Sequence, residues 1–425
     1  MTKEQRLKKR YSAEKRFKAY GIISVCAALL FVGILVFKVF SEGSGAFVKT
    51  AIQLELDLSK EKLNLPEKPT KEDFENIDFY DFAQQHILKI YPAITTKEKK
   101  ELLTLFSSDF EYEVKDFILS NQNLIGQKVF FKITAASDLD QMHKGNYTRD
   151  IPEERRKVSN FQLTIYDFLL KENKISKIFN NYLFSNGDSR NPEIAGIGGA
   201  MLGSFFSIIV CLIISFPIAL LAAVYLEEFA PKNAFTDFIE ININNLAAVP
   251  SIVFGLLGLG ILLNVFELPR STSLVGGITL ALMTLPRIII PCRASLKAVP
   301  PSIREGALAV GASKVQSVMH HVVPLAMPGT LSGTIIGLAQ ALGETAPLLL
   351  IGMVAFVVQV PGTPMDPSSS LPVQVYLWSE SAERGFVEKT SATIMMLLGF
   401  LMYRRGHTCT CDPIRPAQTT TRDHR

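Results

Sequence analysis

Residues 194–226 read IAGIGGAMLGSFFSIIVCLIISFPIALLAAVYL, without one Asp, Glu, Lys or Arg. An α-helix rises about 1.5 Å per residue, so about 20 apolar residues cross a hydrocarbon core of about 30 Å. This run has residues to spare, and Pro217 marks a kink within it. Similar runs follow at 244–266, at 274–290 with Arg287 near its end, and at 331–358 with Glu344 inside. A last one, 391–403, has only about 13 residues, or about 20 Å of helix. Another run, 19–40, lies near the start of the chain. The pattern predicts an all-α polytopic membrane protein of about six transmembrane helices, with an α+β domain inserted between the first two. A hydrophobic content of 48% and a mean hydropathy of +0.23 agree with that class. A net charge of +4 on 425 residues is too small to suggest a nucleic-acid partner. The pairs Gly199/Gly203 and Gly333/Gly337 fit G-x-x-x-G, which permits close helix approach.

Residues 1–18 carry Lys3, Arg6, Lys8, Lys9, Arg10, Lys15, Arg16 and Lys18 against Glu4 and Glu14. The apolar run behind them is long for a signal peptide, and Ser41-Glu42-Gly43 is a poor cleavage site. It reads as a retained anchor, and its basic flank predicts a cytoplasmic N-terminus. Residues 41–190 are then extracytoplasmic. They are densely and evenly charged, and long enough to bury a core of their own. Alternation predicts strands over 127–133 and 161–166, and helices over 80–90 and 96–106. No catalytic constellation stands out there. His86 and His143 have no Cys or His at metal-ligand spacing, so no metal site is expected and a scaffold or partner-binding role is. None of the five cysteines lies in this segment, which excludes a disulfide framework there; Cys26 and Cys211 sit in apolar runs as small packing residues.

Alternation of spans places 291–330 in the cytoplasm. Arg293, Lys297, Arg304 and Lys314 against Glu305 give that stretch the expected positive bias. Within the loop 300–328, Ser302 and Glu305 form an S-x-x-E pattern that predicts a helix from Ile303. Gly311 suits its left-handed end, and Ser313 with Gln316 predicts a second capping box. Ile303, Ala307 and Val310 fall on one helical face, as a short plug for a groove on a partner would require; an ordinary inter-helix loop is the alternative.

The spacing Glu305, Ala307, Gly311, Pro324 resembles the E-A-A-x-x-x-G-x(9)-I-x-L-P loop of binding-protein-dependent ABC importer permeases. Gly306 stands in place of an alanine, and His321 in place of the usual isoleucine. The stretches YLEEFAP (225–231), VPSIVFGL (249–256), ALGETAP (341–347) and LPVQVY (371–376) resemble PstA-type permeases of phosphate importers, a likeness that covers about 194–400. The resemblance implies a permease core over 191–403 in a bacterial cytoplasmic (inner) membrane. It implies a homologous partner permease, a dimer of ATP-binding cassette ATPases, an extracytoplasmic phosphate-binding protein, and lipid around the spans. Glu305, Gly306, Ala307 and Gly311 are then the ATPase-docking residues. This chain would bind no cofactor of its own. It lacks a G-x-x-x-x-G-K-[ST] phosphate loop, so ATP hydrolysis belongs to partner subunits and the chain is not itself an enzyme. A permease for another solute, and an extracytoplasmic sensor with membrane spans, are the alternatives.

Arg287 and Glu344 are the charges at bilayer depth, where a charge is costly and faces a pathway or a partner. For a phosphate path, Arg287 would attract the anion; otherwise it snorkels to the nearby interface. Glu344 would pair with a cation or gate. Beyond the last run the chain turns to RRGHTCTCDP (404–413), an atypical tail over 404–425. Such an abrupt change near Met402 is what a shifted reading frame produces, and it predicts an incomplete final span.

Overall fold

The computed structural model describes residues 3–66, 70–91, 95–354 and 356–408. The chain opens with one long helix, α1 (Lys3–Gly43). Its apolar stretch is exposed throughout: Ile22, Leu29, Phe31 and Phe37 face outward. Its length and composition are enough to cross a membrane.

A compact α+β domain follows. β1 (Val48–Asp57) is the centre of a three-stranded sheet, antiparallel both to β2 (Lys128–Thr134) and to β3 (Ile175–Phe179). The register pairs Ile52 with Ile133 and Ala51 with Ser176. Helices α2 (Phe79–Ile87), α3 (Thr96–Leu103) and α4 (Phe110–Ser120) precede β2; α5 (Ser137–His143) and α6 (Asn160–Lys171) follow it. Ile52, Leu56, Leu102, Ile118, Ile133 and Leu169 form their common core. The expected strand at 127–133 and the helices at 80–90 and 96–106 are present within a few residues. The expected strand at 161–166 is not: that segment lies inside α6. Ser159 accepts from the Gln162 amide at 3.2 Å, and Gln162 accepts from the Ser159 amide at 2.9 Å. This reciprocal cap starts a helix, which then buries Ile165, Tyr166 and Leu169 at helical spacing. Six alternating residues are too few to tell the two periods apart.

Polar groups under the sheet are spent structurally. Buried Glu113 accepts from the Thr134 amide at 2.8 Å and from the Tyr182 hydroxyl at 3.0 Å. Lys49 lies 3.9 Å from the same carboxylate, and burial pushes its pKa down against the pull of Glu113 and Asp140. His86 is buried between the Phe82 carbonyl and the Asp57 amide.

The apolar half contains α7 (Gly198–Val224), continued by a π-helical turn Tyr225–Phe229. Then come α8 (Ala234–Ala247) and α9 (Ser251–Leu257), α10 (Ser273–Ala298), and α11 (Pro301–Ala309). A run of helical turns over Lys314–Leu342 includes α12 (Val323–Leu342); α13 (Leu371–Ser379) and α14 (Gly385–Thr408) are the last described helices. Among the described residues, four helices are long and apolar enough to span: Lys9–Phe47, Gly198–Phe229, Ser273–Ala298 and Lys314–Leu342. A fifth counts if the pair Ala234–Ala247 and Ser251–Leu263, bent by 102°, is one broken span.

The expected six therefore need correcting. The run at 244–266 straddles a sharp bend at Pro250, which cannot supply the amide an unbroken helix requires. The run at 331–358 is not one span, because its helix begins at Lys314, ends at Leu342, and gives way to a short helix, Ala346–Leu350. The last helix, Gly385–Thr408, has 24 residues and carries Glu388 in its first turn, but among the described residues it is not one of the helices long and apolar enough to span. The tail from 409 on, with Cys409 and Cys411, lies outside the described residues.

Helix packing uses the glycines unevenly. A Cβ on Gly333 would lie 2.6 Å from Pro291, and one on Gly337 3.3 Å from Ile288, so this pair does seat α12 on α10. Gly203 instead abuts the Ser369 carbonyl in the loop before α13, and Gly199 has ordinary clearance. The α+β domain joins the helices through Glu388 in the first turn of α14. Glu388 accepts from Lys144 at 2.9 Å and Asn146 at 2.7 Å, while Lys144 also meets Asp140 at 2.6 Å. Trp378 in α13 donates to Asp188 at 2.9 Å. Gly333→Val is expected to destabilise the chain by about 1–3 kcal/mol through overpacking against Pro291. A thermal-unfolding scan in detergent checks it against Gly399→Ala, where the added methyl meets nothing within 4 Å.

Candidate functional site

The loop after α10 turns sharply. Pro300 and Pro301 begin α11 two residues earlier than Ile303, because Pro301 has the right φ for a first helical position and no amide to leave unsatisfied. The expected Ser302–Glu305 capping box does not form; Ser302 is already inside the helix, and no side chain caps the end. The other end is as expected. Gly311 has φ +91°, its amide donates to the Leu308 carbonyl at 3.0 Å, and the Ala312 amide donates to Ala307 at 3.1 Å. This paired closure satisfies carbonyls that the helix end would otherwise orphan. The Ser313–Gln316 box forms as well, at 3.2 and 2.9 Å.

The expected apolar stripe is split. Ala307 is buried and Ile303 half-buried, whereas Val310 is 85% exposed. Glu305, Gly306 and Leu308 are exposed too, and Glu305 makes no side-chain hydrogen bond or ion pair among the described residues. A Cβ on Gly306 would meet nothing within 4 Å. The helix thus presents Glu305, Gly306 and Leu308 outward and seats itself through Ala307.

Its neighbour Arg304 holds it in place. The guanidinium donates to both oxygens of Glu228, at 2.6 to 3.2 Å, and Glu228 is nearly enclosed. It also donates to the carbonyls of Val299 at 2.7 Å and Leu296 at 2.9 Å, at the C-terminus of α10. The Leu296 carbonyl otherwise accepts only the long bond from the Val299 amide, at 3.3 Å, and a cation at a helix C-terminus is favoured by the helix dipole. Glu227 lies 3.5 Å from both Arg293 and Lys297 of α10, and Arg293 also reaches Glu240 of α8 at 2.5 Å. The acid pair in the π-helical turn therefore ties α7, α8, α10 and α11 together. Sequence reasoning counted Arg293, Lys297 and Arg304 only as a charge bias and gave Glu227 and Glu228 no role. The available signal was the i,i+4 pair Arg293/Lys297 facing two adjacent acids at the end of an apolar run.

Arg287 and Glu344 come together. Arg287 Nη1 lies 3.6 Å from Glu344 Oε1, each side chain about a quarter exposed. The helix α10 continues about 16 Å past Arg287 to Ala298. Glu344 occupies the break between α12 and the helix Ala346–Leu350, where the chain leaves the helical path. The pair thus links the interior of one helix to the broken end of another, at a distance that leaves both groups open to a further partner.

The binding-protein-dependent transport system inner membrane component family matches residues 215–401, which includes the clamp, the loop and the ion pair. A domain of unknown function (DUF3333) matches residues 4–153. Phosphate transport system permease protein PstA of Haemophilus influenzae is 31% identical, over 47% of this chain and 69% of that protein. PstC of the same organism is 30% identical, over 48% of this chain and 70% of that protein. Probable ABC transporter permease protein YqgI of Bacillus subtilis is 31% identical over 36% of this chain; the chain spans about half of that relative, 52%. A chain of the inward-facing MetNI methionine ABC transporter overlaps with a TM-score of 0.39 at 16% identity, covering 50% of this chain and 91% of that one. Arg304→Met leaves Glu228 enclosed and unpaired, so it is expected to cost about 3 kcal/mol and loosen α11. Faster tryptic cleavage at Lys314 than in the unsubstituted chain reports the loosening, and Gly306→Ala is expected to leave that rate unchanged.

Proposed function

The chain belongs to the binding-protein-dependent transport permeases, as a PstA-type member, and on that premise we propose that it is the permease subunit of an ATP-driven phosphate importer. The observation that carries this reading is Glu305: an unpaired carboxylate on an exposed helix whose base is rigidly clamped. A helix of nine residues held by Arg304 can transmit a push without bending at its root. Glu305, Gly306 and Leu308 would face the ATPase; Ala307 and Gly311 would set the seat and the turn. ATP-driven closure of the ATPase dimer would move this helix, and through Glu228 and the α10 carbonyls it would move the spans. A homologous permease would complete the pathway, and an outer binding protein would deliver the solute. The α+β domain would lie outside the membrane and the N-terminus in the cytoplasm, as the basic flank of α1 suggests.

Phosphate as the solute is supported by the names of the H. influenzae relatives and by a side chain suited to an anion. Arg287 is half-buried and, among the described residues, held by one carboxylate at 3.6 Å. An arriving oxyanion competes with Glu344 for the guanidinium, so binding and release of the helix break at Glu344 become linked. Glu344→Gln is expected to lower labelled phosphate uptake by about tenfold or more in cells that otherwise lack the chain, while the ATPase still co-purifies. Full uptake by that variant removes Glu344 from the mechanism. Glu305→Ala is expected to do the reverse, reducing ATPase co-purification first.

A further inference from the structure

The α+β domain carries a cleft of about 330 Å³ whose charge is one-sided. Arg149, Arg155, Arg156, Lys157 and Arg384 line it, and no Asp or Glu does. Two further clefts are of mixed sign: one sets Lys62, Lys89, Lys128 and Lys174 against Glu55, Asp57 and Glu172, the other Lys144, Lys177 and the shared Arg384 against Glu42 and Glu388. Five cations around one small space repel each other unless an anion joins them.

Their internal partners are few. Arg149 meets Asp167 at 3.1 Å on the open surface, and Lys157 approaches Asp138 only to 3.9 Å. Arg384 donates to the Asn146 carbonyl and lies over the Tyr147 ring. Arg156 donates to Asn160, but its Nε is enclosed and has no partner among the described residues. Arg155 is exposed and has none at all among them. Four guanidinium groups at one opening suit the multiply accepting oxygens of a phosphoryl group. The floor is apolar, with Met142 and Val158 buried, so the cleft takes a phosphate attached to carbon more readily than a free ion. Arg384 is the residue before α14, at the level where that helix meets the domain.

We propose that this cleft is a phosphoryl-binding site separate from the transport path, filled by the phosphate of an organic phosphate. Both an anionic lipid headgroup at the membrane edge and a soluble phosphate monoester present that chemistry. Occupancy bridges the segment between α5 and α6 to the start of α14, and so fastens the domain to the helical core. The inference holds whatever solute the spans carry.

The test uses the full chain without ATP or partners. In phosphatidylcholine nanodiscs it is titrated with glycerol 3-phosphate. In parallel, the number of phosphatidylglycerol molecules retained per chain is counted by native mass spectrometry. One arm is expected to show saturable binding, weakened about tenfold by Arg155→Glu, the loss of one charge-assisted contact. Arg155 is exposed and unpaired, so the variant folds. Lys128→Glu, in the mixed-sign cleft, is expected to leave binding unchanged. Absence of saturable binding in both arms overturns the proposal, as does equal weakening by Lys128→Glu. Because no uptake is measured, failure here is distinct from failure of the import reading.

Discussion

The contact between Arg304 and Glu228 is the constraint on which the arrangement of the helices around the loop depends. A nine-residue helix is too short to be stable alone, and α11 buries little beyond Ala307. Its position comes from one guanidinium that meets a carboxylate with two edges and two helix-end carbonyls with the rest. Without the guanidinium the nearly enclosed Glu228 would lose its ion pair and the Leu296 carbonyl would keep only the Val299 amide at 3.3 Å, so the partners hold one another by mutual need. Glu228 belongs to the end of α7 and the carbonyls to the end of α10; the outward face of α11 is thereby referred to both.

Charge elsewhere in the helical half obeys the same economy. At one end, Glu227 and Glu240 neutralise Arg293. Midway along α10, Arg287 meets Glu344. Where the α+β domain joins α14, Lys144 is shared by Asp140 and Glu388. The first and last of these are close, multiply bonded and structural. The middle one is a single long contact beside a helix break. That contrast, more than the presence of charge, sets Arg287 and Glu344 apart from the other two.

The sequence was most legible where a local rule dominates. Gly311 was readable as a left-handed helix stop because only glycine takes φ +91° without steric cost, and the Ser313 box because four consecutive residues contain it. The capping reading at Ser302 failed because Pro301 offers a competing local start, two residues earlier. The strand expected at 161–166 failed because its alternation is also compatible with a helix that Ser159 begins. Hydropathy located the apolar segments but not their breaks. The bend of 102° at Pro250 and the end of α12 at Leu342 fall inside runs that are apolar on both sides.

What the sequence by itself determined was class and order: apolar runs long enough to span, a charged domain between the first two, and a short turn-bounded helix in a basic loop. Those properties follow from composition and from interactions within a few residues. Only the tertiary structure decided which charges meet. Glu228 and Arg304 are separated by 76 positions and Arg287 and Glu344 by more than half a hundred, and no local rule links such partners. Their pairing depends on where whole helices pack, which is set by glycine seats such as Gly333 on Pro291 and by the cost of leaving a buried charge alone.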